Sequence, residues 1–532
     1  MKRLPLGLQS FRKIIEGGYV YVDKTQYVYE LVNGDSYYFL SRPRRFGKSL
    51  LLDTIGEAFG GDRELFKGLF LYESDYAFEK HPVVRLDMSS VSNDTPETLR
   101  NSLSMDLRKR IKEESLDIDG ETPTDLLKNL IEALYRKHGK GVVVLIDEYD
   151  KPILDNLDDM PTAETNRKIL RSLYGVLKSL DTCLRFAFIA GITKFTKTSV
   201  FSGLNNLRDI TMSRKYSNIC GIPTDELGKY FGEHIERLAS SEELECYGNI
   251  TDEILSWYDG YSWDAKTCVI NPFALLSFIT EERFVAFWFA SGTPKFLMDL
   301  VKKDSQAYIS LNNKEIAESD LDTAELDALQ AGPLMFQTGY LTVKEISRLM
   351  DDYVYRLEMP NREVRKAFYS NMLAAIAEKN QPNAKRAQLD LERAFLKNDM
   401  QKMLDTLRGL YASIPYDIHV ELEAYYHSIF HAIVNSLGFD IKAEVPVSGG
   451  RVDVVLDIGN RAYVIEFKYR KCPAKASKER KRILLEKALD EGMDQIKNRG
   501  YANKYIGSGK TVYKIAVAIL GRDNMEMRIE EV

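Results

Sequence analysis

The chain is poor in the residues that staple small secreted or metal-bound proteins. Its 532 residues hold five cysteines, Cys183, Cys220, Cys246, Cys268 and Cys472, and no two lie closer than 22 residues. That spacing excludes a CxxC zinc ribbon, and an odd, sparse set fits a reducing compartment better than a disulfide framework. Long apolar runs are missing too. Stretches such as Val142–Ile146 and Phe284–Ala290 fall far short of the ~20 residues of a membrane helix. The opening MKRLPLGLQS has no apolar signal core. Nor is there a surplus of positive charge. Lys and Arg number 73 against 79 Asp and Glu, a net −6, so any nucleic-acid footprint must be local. No internal repeat stands out. These absences predict a soluble, cytoplasmic protein with no membrane partner.

What is present is a globular composition, 44% hydrophobic and 29% charged, with length for roughly three to four domains. The pattern changes twice along the chain. Over residues 1–225 compact apolar strands (Tyr37–Leu40, 83–87, Val142–Ile146, Leu184–Gly191) alternate with helical stretches, which predicts an α/β domain with a parallel sheet. Residues 226–415 read as mainly helical, with a strand at Gly339–Val343, and are expected to form a helical or winged-helix lid and connector. Residues 416–532 read as a smaller α/β unit: helix 418–437, strand Glu444–Val447, hairpin 451–468, basic segment 470–487, helix 485–498 and strand 512–519.

The first chemical pattern is Arg42-Pro43-Arg44-Arg45-Phe46-Gly47-Lys48-Ser49, set between a strand and a helix. A phosphate loop uses backbone N–H groups and a helix N-terminus to hold an anion. Lys48 would reach the β- and γ-phosphates and the Ser49 hydroxyl would bind Mg²⁺. Arg42 stands where the usual first glycine would be. About 100 residues on, VVVLIDEYD is a buried strand ending in acids. Asp147 would hold Mg²⁺ through water, and Glu148 would orient the attacking water. The loop calls for ATP across Arg42, Arg44, Arg45, Phe46, Gly47, Lys48, Ser49 and Leu50. Arg44 and Arg45 could contact phosphate or a neighbouring subunit, or be solvated. Thr193, at the end of the next strand with Lys194, could sense the γ-phosphate or be an ordinary loop residue.

The second pattern is a hairpin, Arg451–Lys468. Two apolar strands flank Gly459-Asn460, a favoured two-residue turn. Residues that face each other then sum to 919, so Asp453 faces Glu466 with Cβ atoms about 5 Å apart. Lys468 lies on the same sheet face. Two carboxylates that close repel unless a cation lies between them or one is protonated. A hard divalent ion, Mg²⁺ or Mn²⁺, satisfies them. Lys468 would orient a water or stabilise charge on a phosphate, which is metal-assisted phosphodiester hydrolysis. Residues 470–487 carry eight Lys or Arg and two Glu, a net +6 that invites a DNA-backbone contact or forms a flexible solvated loop and helix start. His427 and His431 have the i, i+4 spacing of a zinc pair, with no third ligand evident.

YVDKT (Tyr21–Thr25), RPRRFGKS, IDEYD and FSGLNNLRDIT (Phe201–Thr211), in that order, resemble the bacterial AAA-ATPase-like family of P-loop proteins. In that family RPRRFGKS serves as the phosphate loop, so Arg42 is expected there. WYDGY, Asn271-Pro272 and FQTGYLT (Phe336–Thr342) resemble the family's following region. The pattern D-x12-E-x-K at 453–468 resembles the PD-(D/E)XK nuclease superfamily, whose fold is that of restriction endonucleases. Carried over by position, that resemblance makes Asp453 and Glu466 metal ligands and Lys468 the catalytic lysine. It also makes Glu423 an auxiliary acid on the preceding helix, and Gln495 a helix residue facing the site. The combined expectation is an Mg²⁺-dependent ATPase coupled to a nuclease acting on nucleic acid, DNA first. The competing reading is a regulatory P-loop NTPase whose last domain binds nucleic acid or protein without cutting. AAA-type ATPases often form rings, which leaves a homo-oligomer open.

Overall fold

A computed structural model describes residues 1–194, 200–201, 204, 206–289, 314–321, 331–377, 381–412, 430, 432–437, 440–447, 450–473, 476–498, 502–503, 505–506, 509–521 and 524–532. The chain divides into two compact units. One holds Met1–Gly292 with Leu311–Asn361; the other holds Thr293–Ser310 with Arg362–Val532. The segment expected as a connector, 226–415, is thus shared between them. No helix of the described residues is long and apolar enough to cross a membrane.

In the first unit, α1 (Thr25–Val32) precedes β1 (Tyr37–Ser41), and α2 (Lys48–Gly60) follows it. Then come β2 (Val83–Asp87), α3 (Pro96–Glu113), α4 (Pro123–His138), β3 (Val142–Asp147), α5 (Met160–Ser179), β4 (Leu184–Gly191) and β5 (Arg208–Asp209). The strands form one parallel sheet in the order β2-β3-β4-β1-β5. Helices cover its faces, so β1 is buried at every residue and β3 at all but its last. This explains why both strands read as unbroken apolar runs. The helix starts are encoded locally. Thr95 and Thr122 each close a capping box ahead of a proline at the first turn, and Gly139 ends α4 in the left-handed region. Leucines of α3 and α4, with Leu170 and Leu173 of α5, pack under Val142, Val144 and Ile146.

The rest of this unit includes α6 (Leu227–Ala239), α7 (Pro272–Glu281), α8 (Ala331–Thr338) and a three-stranded antiparallel sheet of β6 (Lys314–Ala317), β7 (Thr342–Leu349) and β8 (Asp352–Glu358), in the order β6-β8-β7. The sequence placed a strand only at Gly339–Val343. This region braces the phosphate loop. Phe46 packs edge-on against Tyr261 and Trp263, Trp288 Nε1 donates to the Arg44 carbonyl at 3.0 Å, and Gly339 abuts Pro43.

The second unit begins with α9 (Arg362–Ala377), α10 (Gln381–Lys397) and α11 (Met400–Ala412). A five-stranded sheet follows: β9 (Asp440–Val447), β10 (Gly450–Ile458), β11 (Arg461–Arg470), β12 (Thr511–Leu520) and β13 (Asn524–Glu531), in chain order. Only β11 and β12 run parallel, and α12 (Lys478–Asn498) makes the crossover between them. The sequence started that helix at 485; it starts at Lys478. Of the helix expected at 418–437, residues 432–436 are described and helical. Glu423, His427 and His431 lie outside the described residues.

Candidate active sites

The phosphate loop leaves β1 at Ser41. Arg45 (φ 65°) and Gly47 (φ 96°) both adopt the left-handed region, and helix α2 starts at Lys48. Gly47 takes that conformation without a Cβ clash. The Lys48 ammonium donates to the carbonyls of Arg42 (2.8 Å) and Pro43 (2.9 Å). Burial pushes its pKa down, against the pull of Asp147. Asp147 ends β3, and its Oδ1 accepts from the Glu148 N–H at 2.9 Å. Burial raises the Asp147 carboxyl, and a hydrogen bond from Ser49 and the charge of Lys48 oppose that rise. Glu148 is also pushed up by burial, with Lys48 pulling it back. Its φ of 49° is uncommon for a non-glycine residue. Such backbone strain is stored preferentially at functional sites.

A cavity of about 470 Å³ opens on this loop. Its walls include Arg44–Leu51, Glu148 and Lys151 of the nucleotide machinery and the apolar Val20, Val22, Ile222, Phe231 and Phe273, the last under the Arg45 guanidinium. A second cavity of about 270 Å³ is bounded by Ser49, Asp147, Asp87 and Arg85. Seven of the eight sequence-nominated loop residues, Arg44, Arg45, Phe46, Gly47, Lys48, Ser49 and Leu50, line the large cavity in an unbroken run.

Arg42 and Thr193 are placed elsewhere. The Arg42 side chain is fully buried. Its guanidinium donates to the carbonyls of Ser41 (2.9 Å), Thr211 (2.9 Å) and Tyr216 (3.2 Å) and lies 3.9 Å from the Trp263 ring centroid. It buttresses the loop from behind and walls neither cavity. Thr193 is 1% exposed, and its Oγ1 donates to Asp150 Oδ2 at 2.5 Å. Its hydroxyl therefore faces an acid, not the cavity. Lys194 pairs with Asp209 at 2.8 Å.

Asp150 is the residue that sequence reasoning missed. Fully buried, it also accepts from the backbone N–H of Ile192 (3.0 Å) and Thr193 (2.6 Å). It thereby ties the acidic strand's exit to the end of β4. The second aspartate of IDEYD was its signal, but its partner could be found only by knowing that β4 neighbours β3.

In the second unit the turn falls at Gly459-Asn460, and Ile458 pairs with Arg461 through to Val454 with Ile465. Each pair sums to 919, as expected. Asp453 Oδ2 accepts from the Phe467 N–H at 2.8 Å, and Lys468 Nζ donates to Glu466 Oε1 at 2.9 Å. Glu466 is 1% exposed and its Oε2 has no hydrogen-bond partner. Burial, then the neighbouring Asp453 charge, push the Glu466 carboxyl up to about 7, with Lys468 pulling it down. A buried acid with one orphaned oxygen beside a second carboxylate fits a divalent cation. No cluster of three metal-binding side chains occurs among the described residues. Gln495 is half-buried on α12, one turn after Gly492, whose face meets Ala516 and the Lys468 stem.

The comparisons with known proteins cover both domains. A profile described as a predicted AAA-ATPase, AAA-ATPase-like, matches residues 5–201, and a PD-(D/E)XK nuclease superfamily profile matches residues 421–528. A relative from Azotobacter chroococcum mcd 1, an uncharacterized protein in the vnfD 5′ region, is 34% identical over 524 residues, 97% of this chain and 96% of its own length. The chain belongs to the AAA-ATPase-like family. Its last domain belongs to the PD-(D/E)XK nuclease superfamily. Among solved structures, the ORC2 protein of Aeropyrum pernix is 11% identical with a TM-score of 0.27, over 68% of this chain and 98% of that one. Drosophila ORC bound to GC-rich DNA and Cdc6 is 11% identical with a TM-score of 0.22, over 80% of this chain and 61% of that one. Likeness at that level carries no argument.

In this AAA-ATPase-like protein the basic stretch is helical from Lys478 onward. Arg480 and Lys487 are exposed and Lys481 half-exposed, and they enter none of the ion pairs of the described residues. Arg482 pairs with Glu479 at 2.7 Å.

Proposed function

We propose that the protein binds and hydrolyses ATP at the large cavity and cleaves nucleic acid, DNA first, at the Asp453–Glu466–Lys468 hairpin. The observation that carries the nuclease reading is the buried Glu466, with one oxygen on Lys468 and the other orphaned. In the first site Lys48 would exchange its two carbonyl partners for the β- and γ-phosphates. Glu148, raised by burial, would accept a proton from the attacking water. Ser49 and Asp147 would hold Mg²⁺, which supplies charge neutralisation of the phosphates. Arg44, Arg45, Phe46, Gly47 and Leu50 would shape the loop around them. In the second site Asp453 and Glu466 would hold Mg²⁺ or Mn²⁺, which supplies Lewis-acid polarisation of the phosphodiester. Lys468 would neutralise charge developing there, with Glu423 as auxiliary acid and Gln495 lining the approach. The basic stretch of α12 would grip the backbone. Five free cysteines support a reducing, cytoplasmic setting. We retain three functional segments, with 226–415 as lid and connector.

The test is a cleavage assay on plasmid and single-stranded DNA with Mn²⁺, with and without ATP. Asp453→Ala should abolish cleavage; if it does not, the hairpin is not the site. Lys48→Ala should abolish any response of cleavage to ATP. A wild-type chain that binds DNA but shows no metal-dependent loss of substrate would favour the binding-only reading.

A further inference from the structure

The large cavity holds a second buried lysine that the phosphate chemistry does not use. Lys24 caps α1 and walls the cavity. Its side chain is 13% exposed, and the nearest acid, Glu226 Oε2, lies 4.0 Å away. That is too long for a hydrogen bond. Glu226 Oε2 itself is buried without a hydrogen-bond partner. Lys48, in contrast, is satisfied by two carbonyls of its own loop. An ammonium withdrawn from water and left without an acceptor is costly. Burial accordingly pushes Lys24 down to about 8, against Glu226, Cys220, Asp23 and Asp225. A ligand that brings an acceptor removes the cost.

The position of Lys24 says which part of a nucleotide that is. The phosphates belong at the start of α2. Lys24 lies beside the apolar walls of the cavity. Its partner Glu226 directly precedes α6, and the adjacent Asp23 N–H donates to Tyr230 Oη of that helix at 3.2 Å. Phe231 of α6 is a cavity wall, as are Val20 and Val22 of the strand-like run leading into Lys24. An apolar compartment with one or two placed polar groups is how proteins hold and orient a flat heterocycle.

We propose that Lys24 is the base-reading residue of this protein, donating from beside Val20, Val22 and Phe231 to a ring-nitrogen or carbonyl acceptor of the nucleobase. The assignment rests on the ATP-binding reading above. It makes Lys24 a specificity residue.

The experiment titrates the full chain calorimetrically, with Mg²⁺, against ATP, 2′,3′-dideoxy-ATP and inorganic tripolyphosphate. The variants are Lys24→Met and Lys24→Arg, with Lys48→Ala as the phosphate-end control. Lys24→Met should weaken ATP and dideoxy-ATP equally, by about 10- to 100-fold, the range for a lost hydrogen bond to a charged group. Tripolyphosphate, which has no base, should bind as to wild type. Lys24→Arg should recover most of the loss. Lys24→Met strands the Glu226 carboxylate, so its melting temperature is measured alongside, and unchanged tripolyphosphate binding shows that the variant is folded. Unchanged ATP affinity in Lys24→Met overturns the proposal. So does an equal loss for tripolyphosphate, which would put Lys24 at the phosphates, or a loss for ATP alone, which would put it at the ribose. A wild-type chain that binds no ATP, like Lys48→Ala, overturns the ATP reading itself.

Discussion

Arg42 and Arg45, three residues apart, have opposite fates. Arg42 is buried among carbonyls and stacked on Trp263, whereas Arg45 is exposed with its guanidinium 3.7 Å from the Phe273 ring centroid. No local property separates them, because the acceptors of Arg42 come from Thr211 and Tyr216, far along the chain. Arg42→Met should cost at least about 1–3 kcal/mol in urea unfolding, the desolvation of orphaned acceptors. Arg45→Ala should cost no more than about 1 kcal/mol and act on ATP affinity instead. The hairpin acids were legible for the converse reason: a two-residue turn fixes which residues oppose each other, so arithmetic sufficed. Glu466 gives a pH prediction. Its folded pKa, about 7, lies above its ordinary value of 4.5, so between those values the folded state holds the proton more tightly than the unfolded state. Its contribution to stability is therefore greatest at low pH and falls as pH rises toward 7. In metal-free protein, Glu466→Gln should flatten the dependence of melting temperature on pH across that window. Mn²⁺ affinity of the wild type should rise through the same window as the metal displaces the proton.

Elements were legible where burial on both faces left an unmistakable signature. Strands β1, β3 and β4 are buried nearly throughout, and their apolar runs announced them. The sheet of β6, β7 and β8 was only glimpsed. Strand β7 is buried at Thr342 and Val343 and mostly exposed beyond them, and the β7–β8 turn presents Leu349 and Met350 to solvent. A strand that leaves the core after two residues has little periodicity to read. The β4 exit supplies a packing test. A Cβ on Gly191 would overlap the Tyr149 ring and come within 2.8 Å of Asp150 Oδ1. Gly191→Ala should therefore cost about 1–3 kcal/mol. It should also slow ATP hydrolysis, because Asp150 holds the loop after β4 to the acidic strand. Differential scanning calorimetry and a phosphate-release assay would measure both effects.

At the scale of the molecule, the nuclease-like sheet does not end where its family signature begins. Asn398, between α10 and α11, accepts from Tyr463 Oη at 2.9 Å and donates to Tyr513 Oη at 3.0 Å. Arg408 of α11 donates to the Met525 carbonyl at 2.7 Å, and Arg461 donates to that of Leu396 at 2.8 Å. A fragment of residues 416–532 should therefore melt lower than one of residues 362–532. The net charge of −6 likewise averages over unlike parts. Changing Arg480, Lys481 and Lys487 to Gln should lower the slope of log affinity against log salt by about 2–3 for duplex DNA, at ~0.9 per released phosphate contact.

Helix α12 runs for 21 residues, with its exposed cations in the first turns and its later turns packed beside Lys468. From Lys481 to Gln495 at ~1.5 Å per residue is about 21 Å. Along one DNA strand, with a rise of ~3.4 Å per nucleotide, that is a stride of about six nucleotides. On the proposed nuclease reading the helix would work as a ruler. It would engage phosphates about six nucleotides from the scissile bond, and a substrate trimmed closer than that on one side would lose the grip while still filling the site.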